Sequence, residues 1–323
     1  MTKGKVALIF IALVAVTLSL INASWLAPTP PGRLKLVAHR GVGQQYDHEG
    51  VRRDTCTATR IHPPEHNYLE NTVRSMQRAS TLGAHSIELD MHPTTDGHAV
   101  VFHDWTVDCR TNGKGVTREH SLAELKKLDI GYGYTADGGR TFPLRGAGIG
   151  AMPTVEEVLQ KFPNQNFVFN FKSKDPRDAD ILAAAFGRAG VTLDDRYSFY
   201  GHERVLERMR KIAPGVWIWS KDSVKACALD YLYWGWTGWI PESCRNGTVV
   251  VPLNYQWAVW GWPNRFQQRM ASVNARVIVI GEMEDQGSAR GIERPEQLGE
   301  VPRAFKGYLW VDDMYGIGRA LGR

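Results

Sequence analysis

The reading turns on residues 83–104, Gly-Ala-His-Ser-Ile-Glu-Leu-Asp-Met-His-Pro-Thr-Thr-Asp-Gly-His-Ala-Val-Val-Phe-His-Asp. Glu88 and Asp90 sit at alternate positions, with Ile87 and Leu89 between and before them. A strand sends side chains to opposite faces with period two, so both acids point one way and both apolar residues the other. Two carboxylates that close raise each other's pKa unless something positive intervenes. A divalent cation is the usual remedy, and hard cations take oxygen ligands. Thr95-Asp96-Gly97 reads as a turn. A second apolar strand, Ala99 to Phe102, then delivers His103-Asp104. Taken alone, acids at i and i+2 are more often the wet face of a half-exposed strand, because exposed charge is the default. The rest of the chain weighs against that plainer reading.

The chain has 323 residues, 43% apolar and 23% charged, enough for one large folded domain and unlike a disordered segment. The net charge of +5 is mild, and no Lys/Arg run suggests a nucleic-acid arm. Residues 1–27 read as a signal peptide or signal anchor. Lys3 and Lys5 precede an uncharged stretch from Val6 to Ile21, and prolines at 28, 30 and 31 end it. The nearest cleavage-like triplet is Ile21-Asn22-Ala23, and an uncleaved anchor is favoured. Either way the remainder is exported, to a periplasmic or other extracytoplasmic space, with the lysines left inside. Residues 28–33 form a linker, and 34–323 the folded domain. Cys56, Cys109, Cys227 and Cys244 suit an oxidising compartment. Four cysteines allow three pairings. The local one, Cys56–Cys109 with Cys227–Cys244, is the expectation, and buried free thiols are the alternative.

Leu34 to Ala38 has strand character and ends in His39-Arg40-Gly41. A long polar loop, Val42 to Leu69, follows; loops of this length are usually functional or disordered. Asn71 is placed as the N-cap of a helix lined by Val73, Met76 and Ala79. Capping boxes at Ser121 and Thr154 start two further helices. Asn166 to Lys172 reads as a strand with Phe167, Phe169 and Phe171 on one face and Val168, Asn170 and Lys172 on the other. Asp175-Pro176 starts the next helix, with the proline at its first position. Strands are expected at 196–200, 216–219, 248–253, 276–280 and 308–311, and helices at 203–212 and 265–272. Alternating strands and helices imply a mainly parallel sheet, and the strand number suits a closed barrel. No GxGxxG follows the first strand, so a dinucleotide fold is unsupported. The polar residues His39, Glu88, Asp90, His103, Asn170 and Lys172 gather at strand C-terminal ends, where barrel active sites lie.

His39-Arg40-Gly41, Glu70-Asn71-Thr72, Ile87-Glu88-Leu89-Asp90, Thr95-x-Gly97 and His103-Asp104 form an ordered set that resembles the glycerophosphodiester phosphodiesterases. Asp108-x-Arg110-Thr111-x-Gly113-x-Gly115 and Pro153-Thr154-x-Glu156-Glu157 extend it; the likeness is good over residues 34–175 and poor beyond. The resemblance implies an α/β fold, a phospholipase-C-like variant of the (β/α)8 TIM barrel whose second and third strands are joined by a turn without a helix. It implies metal-dependent hydrolysis of a glycerophosphodiester to glycerol 3-phosphate and an alcohol. His39 and His103 fill the acid/base positions, with either one as the acid. Glu88, Asp90 and Asn170 fill the metal positions, for Ca2+ or Mg2+. Arg40, Lys172 and Glu70 fall among the substrate-binding positions, although Glu70 could equally brace the helix start. The residue types suit these roles: a cation neutralises a phosphodiester, imidazole titrates near neutral pH, and a guanidinium matches phosphate oxygens.

The chain departs from the family at two places. Asn170 stands where an acid is expected, offering a carbonyl oxygen without charge and predicting weaker metal binding. Val279-Ile280-Gly281-Glu282 replaces a Trp-Thr-Val-Asn motif. Nine of the eleven tryptophans follow residue 215, which reads as core and rim packing or as a membrane-facing lip. The lip would turn attention to a lysophospholipid substrate. The rival functions are phospholipase-D-like action on such lipids and a non-catalytic binding protein on the same barrel.

Overall fold

The computed structural model describes residues 3–52, 55–284 and 290–322. Its strands are β1 (Lys35–Ala38), β2 (Ser86–Pro93), β3 (Ala99–Val101), β4 (Asn166–Phe171), β5 (Tyr197–Gly201), β6 (Trp217–Ser220), β7 (Thr248–Pro252), β8 (Arg276–Ile280) and β9 (Tyr308–Val311). Its α-helices are α1 (Lys3–Asn22), α2 (Val73–Thr81), α3 (Leu122–Leu125), α4 (Val155–Lys161), α5 (Arg177–Ala189), α6 (Glu203–Ile212), α7 (Lys221–Trp234), α8 (Asn264–Ser272) and α9 (Met314–Ala320). Two compact units result, one of residues 36–220 with 311–323 and one of residues 1–35 with 221–310.

In the unit of residues 36–220 and 311–323, β2 is the central strand, buried on both faces as parallel strands covered on both sides are. It runs parallel to β1 and β4 and antiparallel to β3. The reversal at β3 follows from the short turn after Pro93, where Gly97 takes a φ of 80° and its N–H returns to Thr94. Register aligns Asp90 with Asn170 and Asn170 with Tyr200. Partners across a parallel ladder share a face, so these three side chains lie on one surface. The opposite face is aromatic: Phe169 stacks on Phe199 at 5.6 Å, and Phe186 of α5 meets the Tyr197 ring edge-on at 4.8 Å.

The helix starts follow their capping boxes at Ser121 and Thr154. For α2 the cap is Thr72, whose hydroxyl accepts from the Ser75 N–H, and not Asn71, which takes a left-handed φ of 59° and turns its side chain inward. Likewise α5 begins at Arg177, with Pro176 one position earlier than expected. The segments 42–69 and 105–152 lack long elements but share a core of their own, including Ile61, Leu69, Val107, Leu125, Tyr134 and Met152. A Cys56–Cys109 disulfide staples that core. Residues 53 and 54 of the first segment lie outside the described residues.

In the other unit β7, β8 and β9 are parallel, with Val249 opposite Val277 and Ile278 opposite Tyr308. A Cys227–Cys244 disulfide ties α7 to the short turn before β7, so both expected pairings are formed. Helix α7 escaped the sequence reading because its exposed side carries Leu229, Leu232, Tyr233 and Trp234, leaving no clean apolar stripe.

Candidate active site

The site lies wholly within the unit of residues 36–220 and 311–323. Glu88 and Asp90 project from β2 and are fully buried, which removes the wet-strand reading. Arg40 folds over them in a left-handed conformation with a φ of 57°, a position rarely taken by non-glycine residues and often found at functional sites. Its backbone N–H donates to Glu88 Oε2 at 3.1 Å, its Nη1 donates to Glu70 Oε1 at 3.0 Å, and its Nε lies 3.2 Å from Asp90 Oδ2. Lys172, just past β4, places Nζ 3.2 Å from Asp90 Oδ1. Asn170 donates its amide to the same oxygen at 2.8 Å, and Asn71 donates to Asp90 Oδ2 at 3.0 Å.

The two carboxyls respond oppositely to their surroundings. Burial opposes ionisation of Asp90, but Lys172, His103 and Arg40 outweigh it and hold the group well below the ordinary range. Burial and then Asp90 raise Glu88 to about 7, with only partial relief from His39, Arg40 and the Tyr200 hydroxyl. That hydroxyl donates to Glu88 Oε1 at 2.7 Å.

Each histidine carries a carboxylate on Nδ1. His39 lies 2.7 Å from Asp312 Oδ1, with its Nε2 3.9 Å from Glu88 Oε2. Burial and Arg40 depress its pKa, but Asp312 and Glu88 reverse the balance and leave it raised. His103 lies 2.7 Å from Asp104 Oδ1. Burial and Arg40 pull His103 down to about 4 despite Asp90 and Asp104. Both imidazoles are near enough to Asp90 to feel its charge. His39, Arg40, Glu70, Glu88, Asp90, His103, Asn170 and Lys172 therefore form one connected cluster.

Three further residues complete the cluster: Asp312 and Tyr200, which lie in no motif read from the sequence, and Arg110, which lies in one but was given no role. Asp312 follows β9, and Tyr200 stands near the end of β5; their positions at strand C-terminal ends are the signal that could have found them. Arg110 is buried and joins both sides of the site. Its Nε donates to Asp104 Oδ2 at 2.9 Å, its Nη1 lies 3.3 Å from Glu70 Oε2 and 2.5 Å from the Tyr134 hydroxyl, and its Nη2 donates to Thr57 Oγ1 at 2.7 Å.

The donor set can be tested against a divalent cation. Glu88 and Asp90 are hard oxygen donors side by side, and the raised Glu88 marks a carboxylate pair short of positive charge. Among the described residues, however, no group of three His, Cys, Asp or Glu is placed to hold a metal ion. The residues fit such an ion in kind, with two carboxylates and the Asn170 amide as a weaker set than three acids would be.

The sequence matches the model of the glycerophosphoryl diester phosphodiesterase family over residues 39–200. It is 41% identical over 110 residues to a glycerophosphodiester phosphodiesterase of Caldanaerobacter subterraneus, covering 33% of this chain and 41% of that one. It is 34% identical over 146 residues to the Bacillus subtilis enzyme of that name, covering 45% and 42% respectively. The chain thus spans about two fifths of the length of these curated relatives. Among solved structures, the glycerophosphoryl diester phosphodiesterase domain of a Mycobacterium tuberculosis protein aligns with a TM-score of 0.62 at 15% identity, over 90% of this chain and 99% of that one. An Oleispira antarctica phosphodiesterase in complex with the product sn-glycerol-3-phosphate aligns with a TM-score of 0.54 at 15% identity, over 93% and 100%. Likeness at this identity speaks for the fold, and the fold is the expected (β/α)8 barrel variant.

Proposed function

This chain belongs to the glycerophosphoryl diester phosphodiesterase family, and we propose that it hydrolyses glycerophosphodiesters to glycerol 3-phosphate and an alcohol. The observation that carries the reading is the single buried cluster in which two carboxylate-backed histidines, Arg40 and Lys172 surround Glu88 and Asp90.

His39 and His103 divide the proton transfers. His103 stays neutral at physiological pH and directs its Nδ1 proton at Asp104, leaving Nε2 to take a proton from the water whose oxygen bonds to phosphorus. His39, raised by Asp312, carries a proton to the leaving oxygen as the P–O bond to the alcohol breaks. Arg40 and Lys172 bind non-bridging phosphate oxygens, exchanging part of their hold on Asp90 for the substrate. Glu70 orients Arg40 from one side while Arg110 holds Glu70 from the other. Glu88 and Asp90, with the Asn170 carbonyl, would hold a calcium or magnesium ion. When bound, that ion neutralises the diester and polarises its phosphorus.

A histidine pair with structural roles only would leave the chain a binding protein. The test is hydrolysis of several glycerophosphodiesters by the wild type and His39→Ala, with and without EDTA. Activity abolished by the substitution and by the chelator supports the proposal; no activity on any diester ends it.

Export and retention at a membrane belong to the same proposal. Helix α1 is long and apolar enough to cross a bilayer, and both disulfides suit an oxidising space. A chain held at a membrane would also meet lysophospholipids, the second substrate class. Phosphorus NMR of the products separates simple hydrolysis from phospholipase-D-like cyclisation.

A further inference from the structure

Helix α1 and the tryptophan-rich segment play no part in the cluster described above. The helix has 20 residues, none of them buried. At ~1.5 Å per residue this length matches the ~30 Å hydrocarbon core of a bilayer. Its last turn is nevertheless held by a built contact. Arg269 of α8, only 8% exposed, donates from Nη2 to the Ile21 carbonyl at 3.0 Å and from Nη1 to Asn22 Oδ1 at 3.0 Å. The same Nη1 lies 2.9 Å from the Tyr231 hydroxyl and 3.1 Å from the Gly235 carbonyl. Asn22 in turn donates its amide to the Trp236 carbonyl at 2.7 Å, and the Asn264 N–H donates to Ser24 Oγ at 2.9 Å. A buried guanidinium satisfies carbonyls that a helix end leaves open, and it ties that end to the aromatic segment.

The aromatic segment is not a core. Trp257, Trp25 and Tyr233 are 82%, 79% and 72% exposed, and Trp234, Trp236 and Trp239 are exposed too. Trp234 meets Tyr233 at 5.4 Å and Trp239 at 6.4 Å, edge-on in both cases. Clustered exposed apolar surface marks an interaction site. Tryptophan and tyrosine are the residues that settle at the headgroup level, where an apolar ring and a polar edge are both accommodated.

We propose that this aromatic face rests in the headgroup layer of the bilayer crossed by α1, and that Arg269 fixes the helix exit against it. A lipid surface is the occupant because the apolar helix emerges inside the patch, so a bilayer around the helix reaches the rings. The arrangement also requires α1 to be retained: cleavage after Ala23 would take Ile21 and Asn22 from Arg269. None of this depends on which reaction the histidine cluster performs.

The test uses the full chain in phosphatidylcholine–phosphatidylglycerol vesicles whose lipids carry bromine either near the headgroup or at the chain end. Tryptophan fluorescence should be quenched more by the shallow bromine. The combined Trp234→Phe, Trp239→Phe and Trp257→Phe variant should lose at least half of that quenching and keep its turnover of a water-soluble diester. Intact mass of the chain recovered from membranes should include α1. Should the triple variant misfold, Trp239→Phe alone, at a ring that meets Trp234, reads the same signal. Unchanged quenching in the variants, aqueous iodide reaching these rings equally in vesicles and detergent, cross-linking to a second copy through the patch, or a mature chain starting after Ala23 would each overturn the proposal.

Discussion

Asp312 Oδ1 lies 2.7 Å from His39 Nδ1 across a sequence separation of 273 residues. The His39 backbone N–H also donates to the Val311 carbonyl at 2.9 Å, so the peptide geometry brings the carboxylate to the ring. Asp312→Asn should therefore remove the largest of the interactions that raise the His39 pKa. With general acid catalysis worth about 10²–10⁴ in rate, kcat should fall about 100-fold at neutral pH. The alkaline limb of the pH–rate profile should move to lower pH. Because the folded pKa is raised, the pair stabilises the fold below the ordinary imidazole value of 6.5 and loses that contribution as pH rises through the folded value. Thermal melts of the variant and wild type should accordingly differ at pH 5.5 and converge at alkaline pH.

His103 limits the acid side of the same profile. It must be neutral to accept a proton, and it is held down to about 4. Activity should persist to mildly acidic pH and fall as pH approaches that value. Asp104→Ala should cut kcat about 100-fold by freeing the ring's orientation, with a smaller effect on KM. A kcat unaffected by this change would remove His103 from the proton transfers.

Glu88 is buried, and its carboxyl is raised from 4.5 to about 7. A raised carboxyl binds its proton more tightly in the fold, so ionising it costs stability as pH climbs from 4.5 towards 7. Glu88→Gln removes the charge and keeps one acceptor, its carbonyl oxygen for the Arg40 N–H, while the new amide can donate to the Tyr200 hydroxyl oxygen. It should abolish turnover yet raise unfolding stability at pH 7.5 in EDTA by roughly 2 kcal/mol. Calcium or magnesium should then raise the wild-type Tm and leave that of the variant unchanged. Differential scanning calorimetry reads both effects.

Arg110 joins Asp104, Glu70, Tyr134 and Thr57 from a buried position. Arg110→Met strips Asp104 of its guanidinium partner and leaves Glu70 with Arg40 alone, which should cost about 3 kcal/mol. Arg110→Lys restores charge but not the fork, so denaturant melts should show partial recovery of stability and little recovery of kcat.

The two disulfides should differ in consequence. Cys56 and Cys109 flank Thr57 and Arg110, which hydrogen bond each other at 2.7 Å, so this bridge supports the cluster directly. Its removal opens a 53-residue separation and should cost about 4 kcal/mol, with kcat reduced. Cys227–Cys244 closes only 17 residues and should cost about 3 kcal/mol with kcat unchanged. Paired serine substitutions, melted and assayed, separate the cases.

Most of the cluster was legible because period-two patterning alone put Glu88 and Asp90 on one face, and because motif order carried His39, Arg40, His103 and Lys172 to strand ends. The supporting residues were less visible. Asp312 and Tyr200 act on side chains 273 and 112 positions away, and no local pattern encodes a contact that sheet register creates. Asn71 has a cap's residue type and precedes the helix, yet Thr72 with Ser75 forms the capping box, freeing Asn71 to bind Asp90. Asn170 also donates its amide to Asp90, with Lys172 on the same oxygen, a contact between strands that its place in the motif does not encode.

The most direct measurement is phosphorus NMR of a glycerophosphodiester incubated with the full chain and calcium or magnesium, beside His39→Ala, His103→Ala and an EDTA control. The account predicts a glycerol 3-phosphate signal from the wild type alone. Glycerol 3-phosphate formed at the wild-type rate by either histidine variant, or in EDTA, would contradict it.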